Sequence, residues 1–175
     1  MDNQLAAQES IRSLYELYSD DIYRYARLTL RDSNDACDVV QEVFLRAFRS
    51  WDSYRQTSNS KTWLMSIARN YMFDVFRKKR TEKSHIFLSE IIEVAIPESS
   101  EMSLEIEIAL SRLKDTYRQV VILRHIENYS TQETAQILNW TEAKVRTTAR
   151  RAIAKLREFL SPNSEEVDTK NAFRR

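Results

Sequence analysis

The sequence predicts an all-α protein of two small helical domains joined by a flexible linker, and three observations lead there. The 175 residues contain no glycine and only two prolines, Pro97 and Pro162, so the positive-φ positions on which hairpins and tight sheet turns depend have no ready occupant. Apolar residues recur at i, i+3, i+4 along most of the chain, the period of helices that bury one face. An aperiodic acidic stretch then divides the periodic segments into two groups, each of a size suited to a small domain.

The first helix is read from Ile11, Leu14, Tyr15, Tyr18, Ile22, Tyr25, Ala26 and Thr29. Arg31–Asp35 breaks it and offers N-caps for a second helix. That helix places Cys37, Val40, Phe44, Ala47, Phe48 and Trp51 on one face, so Cys37 is expected in the core; Asp38, Glu42, Arg46 and Arg49 lie on another. After the polar loop Tyr54–Ser60, a third helix turns Leu64, Ile67, Ala68, Tyr71 and Val75 inward and ends in Arg77-Lys78-Lys79-Arg80. By spacing, Trp63 and Tyr71 read as core residues rather than stacking platforms. These helices form a first domain over residues 8–82.

Residues 83–103 lose the helical period and read as linker. The second domain, 104–161, opens with a short helix carrying Leu104, Ile108 and Leu113. Asp115 is expected to cap the next, which carries Tyr117, Val120, Val121, Leu123 and Ile126. Asn128-Tyr129 breaks the chain. Ser130 followed by Glu133 is a capping box, in which the hydroxyl takes one orphan backbone N–H and the carboxylate takes another. It opens a helix with Ala135, Ile137 and Leu138, and Thr141 caps a long last helix through Leu160. Residues 162–175 read as a polar tail.

Composition narrows the function. A single cysteine permits no internal disulfide and no cysteine zinc cluster, and His85 and His125 lie far apart, so no metal or cofactor is expected. The opening MDNQLAAQES is not a secretory signal, and no apolar run approaches the ~20 residues of a membrane span; a soluble, cytoplasmic protein without membrane insertion is expected. The net charge of +1 conceals an uneven distribution. Lys61, Arg69, Arg77, Lys78, Lys79, Arg80 and Lys83 form one basic block, and Lys144, Arg146, Arg150, Arg151, Lys155 and Arg157 form another. Between them, Ser84 to Leu110 holds six glutamates and no lysine or arginine. Two basic blocks around an acidic connector suggest two DNA-contacting modules.

Residues 130–157 have the layout of a helix-turn-helix: a short helix, a tight turn, and a second helix with basic residues at its exposed start. Asn139 is the candidate for the left-handed turn residue, since its side chain tolerates that region. Val145, Ala149, Ile153 and Leu156 form the inward stripe. Lys144, Arg146, Thr147, Thr148, Arg150 and Arg151 are left for the groove, where arginine can pair with guanine in bidentate fashion and lysine more often meets phosphate.

Three segments in order carry a family resemblance over roughly residues 10–160. Asp35-Ala-Cys-Asp-Val-Val-Gln-Glu-Val-Phe-Leu-Arg-Ala-Phe48, then Lys61-Thr-Trp-Leu-Met-Ser-Ile-Ala-Arg-Asn70 with Asp74 and Arg77–Arg80, then Arg118–Arg124 with Ser130–Leu138, together resemble the extracytoplasmic-function sigma factors of the bacterial sigma-70 family. The resemblance implies a non-catalytic protein that binds core RNA polymerase, reads promoter DNA both as duplex and as melted strand, and is held in check by an anti-sigma factor, with no small-molecule substrate. It places Asp35, Asp38, Gln41, Glu42 and Arg46 against the polymerase. Asn70, Asp74, Arg77, Lys78 and Arg80 fall on the minus-ten element, with Gln56–Lys61 as the loop that holds a flipped base. Lys144, Arg146, Thr147, Arg150 and Arg151 fall on the minus-thirty-five duplex. The sequence departs from the family in Lys114, where proline is usual, in Asn139, where glycine is usual, and in Thr148 and Ile153, at positions often held by arginine; the last two imply an altered duplex element.

Two rival readings compete. A dimeric helix-turn-helix regulator would bind duplex DNA without polymerase. A nuclease would want clustered carboxylates around a metal; Asp35, Asp38 and Glu42 do cluster at helical spacing, but no histidine or cysteine partner is evident.

Overall fold

The computed structural model describes residues 2–54, 59–83 and 104–161. They form α1 (Asp2–Leu30), α2 (Ser33–Arg49), a 3-10 turn (Trp51–Ser53), α3 (Ser60–Lys83), α4 (Leu104–Arg112), α5 (Asp115–Val121), a π turn (Ile122–Ile126), α6 (Thr131–Leu138) and α7 (Glu142–Leu160). The described residues contain no strand, in keeping with a chain that has no glycine. Helices α1–α3 pack as one small domain and α4–α7 as a second; most of the linker and the tail, residues 84–103 and 162–175, lie outside the described residues.

Local chemistry sets each corner. Arg31 takes the left-handed conformation, φ 63°, and turns the chain out of α1. Asp32 is then extended, and its carboxylate accepts the Asp35 N–H to start α2. The buried stripe of α2 is Ala36, Val39, Val40, Val43, Phe44 and Ala47. Cys37 is exposed, not in the core: the stripe starts at Ala36, one residue earlier than expected, which rotates Cys37 outward. In α3 the inward residues are Leu64, Met65, Ala68 and Met72; Ile67, Tyr71 and Val75 are only partly covered.

In the second domain Asp115 does not cap α5. The N-cap is Lys114, without a side-chain cap bond, and Asp115 instead accepts from the Arg118 guanidinium at 3.2 Å. The helix runs on into the π turn, whose end is set by Asn128 at φ 57°. Asn139 ends α6 at φ 54°, ψ 50°, the left-handed turn residue that the sequence predicts.

The two domains share one buried apolar cluster. Ile22, Tyr25, Leu64 and Met65 of the first belong to the same contiguous core as Val120, Ile122, Leu123, Tyr129, Ile137 and Leu138 of the second, and α3 lies against α6. A smaller cluster of Leu110, Leu113, Val121 and Ala152 ties α4, α5 and α7 together.

The capping box of α6 is complete: Ser130 Oγ accepts the Glu133 N–H at 3.1 Å, and the Ser130 N–H donates to Glu133 Oε2 at 2.8 Å. Hydrogen bonds from Ser130 hold the Glu133 carboxyl below its ordinary pKa. Ser130→Ala is expected to cost ~1 kcal/mol in urea unfolding at neutral pH. Because the folded-state value is depressed, the carboxylate's share is complete above the unfolded value of ~4.3 and is lost as pH falls through the lower folded value. The gap between wild type and variant should therefore narrow in acid to the extent that the Ser130 hydroxyl supports the carboxylate; a gap that stays constant with pH would show that Glu133 depends on the residue-130 N–H alone, which the variant keeps.

Candidate nucleic-acid interface

Helix α7 is aimed by its two ends. Thr141 Oγ1 accepts the Lys144 N–H at 3.3 Å, and the left-handed Asn139 fixes the crossing from α6. Val145 and Ala152 are buried, and a helix that buries those positions turns 144, 146, 147, 150 and 151 outward. Lys144, Arg146, Thr147, Arg150 and Arg151 are all exposed, whereas Thr148 is partly covered. The Lys144 ammonium sits over the Trp140 ring at 3.9 Å, which anchors the cation at the start of the helix. Arg146 is held by Glu142 at 2.9 Å, one turn back. The result is a cationic face about two turns long, laid along one helix, of the width that the major groove admits.

A second polar stripe runs along α3. Asn70, Asp74 and Arg77 lie at i, i+4 and i+7 and are exposed, with Lys78 beside them; Arg69 donates to Asn70 Oδ1 at 3.0 Å and Arg77 pairs with Asp74 at 3.3 Å. Arg80 belongs to α3, but its side chain lies outside the described residues, as do positions 55–58 of the Gln56–Lys61 loop. Trp63 is not a fully buried core residue: it stacks on Tyr54, centroids 4.2 Å apart with planes inclined 21°, beside Trp51. Those rings border the loop, so flat aromatic surface does stand at that corner.

On α2, Asp38 and Gln41 are exposed, and Asp35, Glu42 and Arg46 half-buried. Arg46 joins this face to the α3 stripe, bonding Glu42 at 2.7 Å, approaching Asp74 at 4.0 Å and lying over the Tyr71 ring at 4.9 Å. Two groups of residues that the sequence reading keeps apart are thus electrostatically connected. The structure adds Leu45, 51% exposed amid the polar face of α2, and Phe73, 54% exposed on α3 with Arg69 stacked on it. Both sit where the helical period leaves a position outside; an apolar residue at an outward position was the signal, as the fully desolvated centre of an interface is where such side chains concentrate. Burial, and next to it the neighbouring Arg124, lowers the pKa of His125. Among the described residues no three potential ligands gather into a metal site, and no helix is long and apolar enough to cross a membrane.

A helical protein with a basic helix-turn-helix in one unit and a polar helical stripe in the other has the layout of a DNA-binding protein. Residues 14–82 match the model of sigma-70 region 2, and residues 103–156 that of sigma-70 region 4. The ECF RNA polymerase sigma factor SigX of Bacillus subtilis is 33% identical over 91% of this chain and 88% of its own length. SigW of the same organism is 30% identical over 87% and 90%. The solved structure of the sigma factor RpoE in complex with the anti-sigma factor NepR from Bartonella quintana has the same fold, with a TM-score of 0.76 and 24% identity over 89% of this chain and 99% of that one. The chain belongs to the extracytoplasmic-function sigma factors of the sigma-70 family. It is a non-catalytic specificity factor of RNA polymerase.

The outward placement of Cys37 has a direct test. One thiol per native chain should react with Ellman's reagent at a rate close to that of the urea-unfolded chain. A native rate a hundredfold lower would return Cys37 to the core.

Proposed function

We propose that residues 8–82 bind core polymerase and open the minus-ten element, and that residues 104–161 read the minus-thirty-five duplex. The observation that carries this reading is the exposed basic face of α7, with Lys144, Arg146, Thr147, Arg150 and Arg151 turned outward by the burial of Val145 and Ala152. Arg146 and Lys144, nearest the helix start, are the base readers; Arg150 and Arg151 meet phosphate. On the other domain, Asp35, Asp38, Gln41, Glu42 and Arg46 meet the polymerase around the exposed Leu45. Asn70, Asp74, Arg77, Lys78 and Arg80 lie along the melted strand. No bond is made or broken by this chain. Its energy goes into holding unpaired bases, which offsets the few kcal/mol that each flipped base costs.

A cytoplasmic location follows from that role. An anti-sigma factor is the expected restraint, released by an envelope or stress signal, since the solved relative is bound to one. Against a stand-alone dimeric regulator, the two polar faces on the first domain support a chain that works on polymerase.

Run-off transcription with core polymerase on a promoter library, beside gel shifts with and without core, tests the proposal. Initiation should require both chain and core. Arg146→Ala should lose ~1–3 kcal/mol of discrimination at one base pair of the duplex element, whereas Arg151→Ala should weaken all sequences alike and reduce the salt slope by about one. A tight, salt-resistant complex with duplex DNA in the absence of core, and no initiation in its presence, would overturn the assignment.

A further inference from the structure

Helix α7 carries a charge that works against its own DNA-binding face. From Glu142 to Arg157 it holds six lysines and arginines, and Glu142 is the one carboxylate among them. That carboxylate occupies the first position of the helix, on a face that must approach one negative charge per ~1.7 Å of duplex. An acid does suit a helix start. Yet the Glu142 and Arg146 side chains are 47% and 62% exposed, and so open a pair adds little to folding stability. Its mark is on the arginine instead. Glu142 Oε2 accepts from Arg146 Nη1 at 2.9 Å, while Nε and Nη2 make no hydrogen bond among the described residues. One complete two-donor edge of the guanidinium is left open, the fork that fits guanine O6 and N7.

Lys144 is held by a different neighbour. Its ammonium lies 3.9 Å from the centre of the Trp140 ring, whose face attracts a cation. The tryptophan is itself fixed. Its backbone N–H donates to Ala135 O at 2.9 Å, closing the end of α6, and its side chain packs against the main apolar core. A lysine without such a partner swings on a flexible stem and meets phosphate as a point charge. Further along the helix the pattern changes. Arg150 and Arg151 are exposed and make no hydrogen bond, ion pair or ring contact among the described residues. The two cations nearest the helix start are braced, and the two assigned to phosphate are not.

We infer that Glu142 and Trp140 are specificity-determining positioning residues, which hold Arg146 and Lys144 away from the phosphates and ready for base edges. Phosphate contacts carry no sequence information directly, so a reader that collapses onto the backbone is lost to discrimination. The Glu142 carboxylate opposes that collapse twice, by tethering Nη1 and by repelling the phosphates around it. The helix thereby gives up general affinity for duplex in exchange for selection at two base pairs. This role for the braces presupposes the base-reading roles proposed above for Lys144 and Arg146.

The test uses the full chain assembled with core polymerase and a promoter library randomised through the upstream duplex element. Initiation ranks the bases at each position, and binding at several salt concentrations gives the general affinity and its salt slope. In Glu142→Ala the guanine preference at the Arg146 base pair should fall from ~10-fold or more to about twofold. Affinity for the library as a whole should rise ~3-fold, and the salt slope should steepen by about one as Arg146 moves to a phosphate. Glu142→Gln, which keeps an acceptor without the charge, should retain most of the preference while general affinity still rises. Glu142→Ala/Arg146→Ala should select no worse at that position than Arg146→Ala, since the brace then has nothing to hold. Trp140→Leu should relax a second base pair with the same steepening, and Trp140→Phe, which keeps a ring, should restore it. A purely structural role would instead weaken binding to every sequence and leave the salt slope unchanged. That result, or full selection surviving in both Glu142→Ala and Trp140→Leu, overturns the inference. Absence of selection at every upstream position by the wild type would strike the proposed function, and the braces with it.

Discussion

One guanidinium organises the second domain and its meeting with the first. Arg118 is 3% exposed, and its five N–H donors are all used: Nε on Leu110 O, Nη1 on Thr29 O and Asp115, Nη2 on Ser111 O and Leu113 O. Four of the five acceptors are backbone carbonyls at the ends of α4 and α1, where the last turn of a helix leaves carbonyls without intrahelical donors. Burial, with Arg31 close by, lowers the Arg118 pKa, opposed by Asp115; a guanidinium has ample margin to remain charged. Two helix ends that would each be incomplete are finished by the same side chain, so α4, α5 and α1 take their places together.

Around that point the rest follows. With α5 fixed, the π turn presents Glu127 to Arg24, and the left-handed Asn128 delivers Tyr129 beneath Lys61. Glu127 raises the Arg24 pKa, as expected where a carboxylate with almost no solvent contact faces a single cation. The capping box then begins α6, Asn139 ends it, and α7 leaves with its cationic face outward. The DNA-reading helix is oriented by a series of small polar decisions, none of them on the helix itself.

Most of this was legible in the residues. The capping box, the Asn139 turn, the Thr141 cap and the basic face of α7 all depend on chemistry within four residues of themselves, which sequence displays directly. The misreadings have physical causes too. Spacing alone puts Cys37 in the core because a stripe beginning at 37 and one beginning at 36 differ by one residue's rotation, and Ala36 is too small to announce itself as apolar. Asp115 has a side chain that suits a cap, but a buried arginine three residues on competes for the same carboxylate. Arg118 stands in the sequence only as part of a family motif, since nothing in a linear string shows that an arginine will bond carbonyls of α4 and its exit together with one of α1, 89 residues away. Long-range partners of charged residues, including Arg24 with Glu127, were the part that sequence could not supply.

The three left-handed corners, Arg31, Asn128 and Asn139, carry a mechanical consequence. A non-glycine residue in that conformation costs ~1–2 kcal/mol, less for asparagine, and glycine would relieve it, yet a glycine also adds freedom to the chain at that point. Corners built with side chains bend one way and resist bending further. At these three joints, between α1 and α2, after the π turn, and between α6 and α7, the flanking helices are therefore held at set angles by the backbone itself.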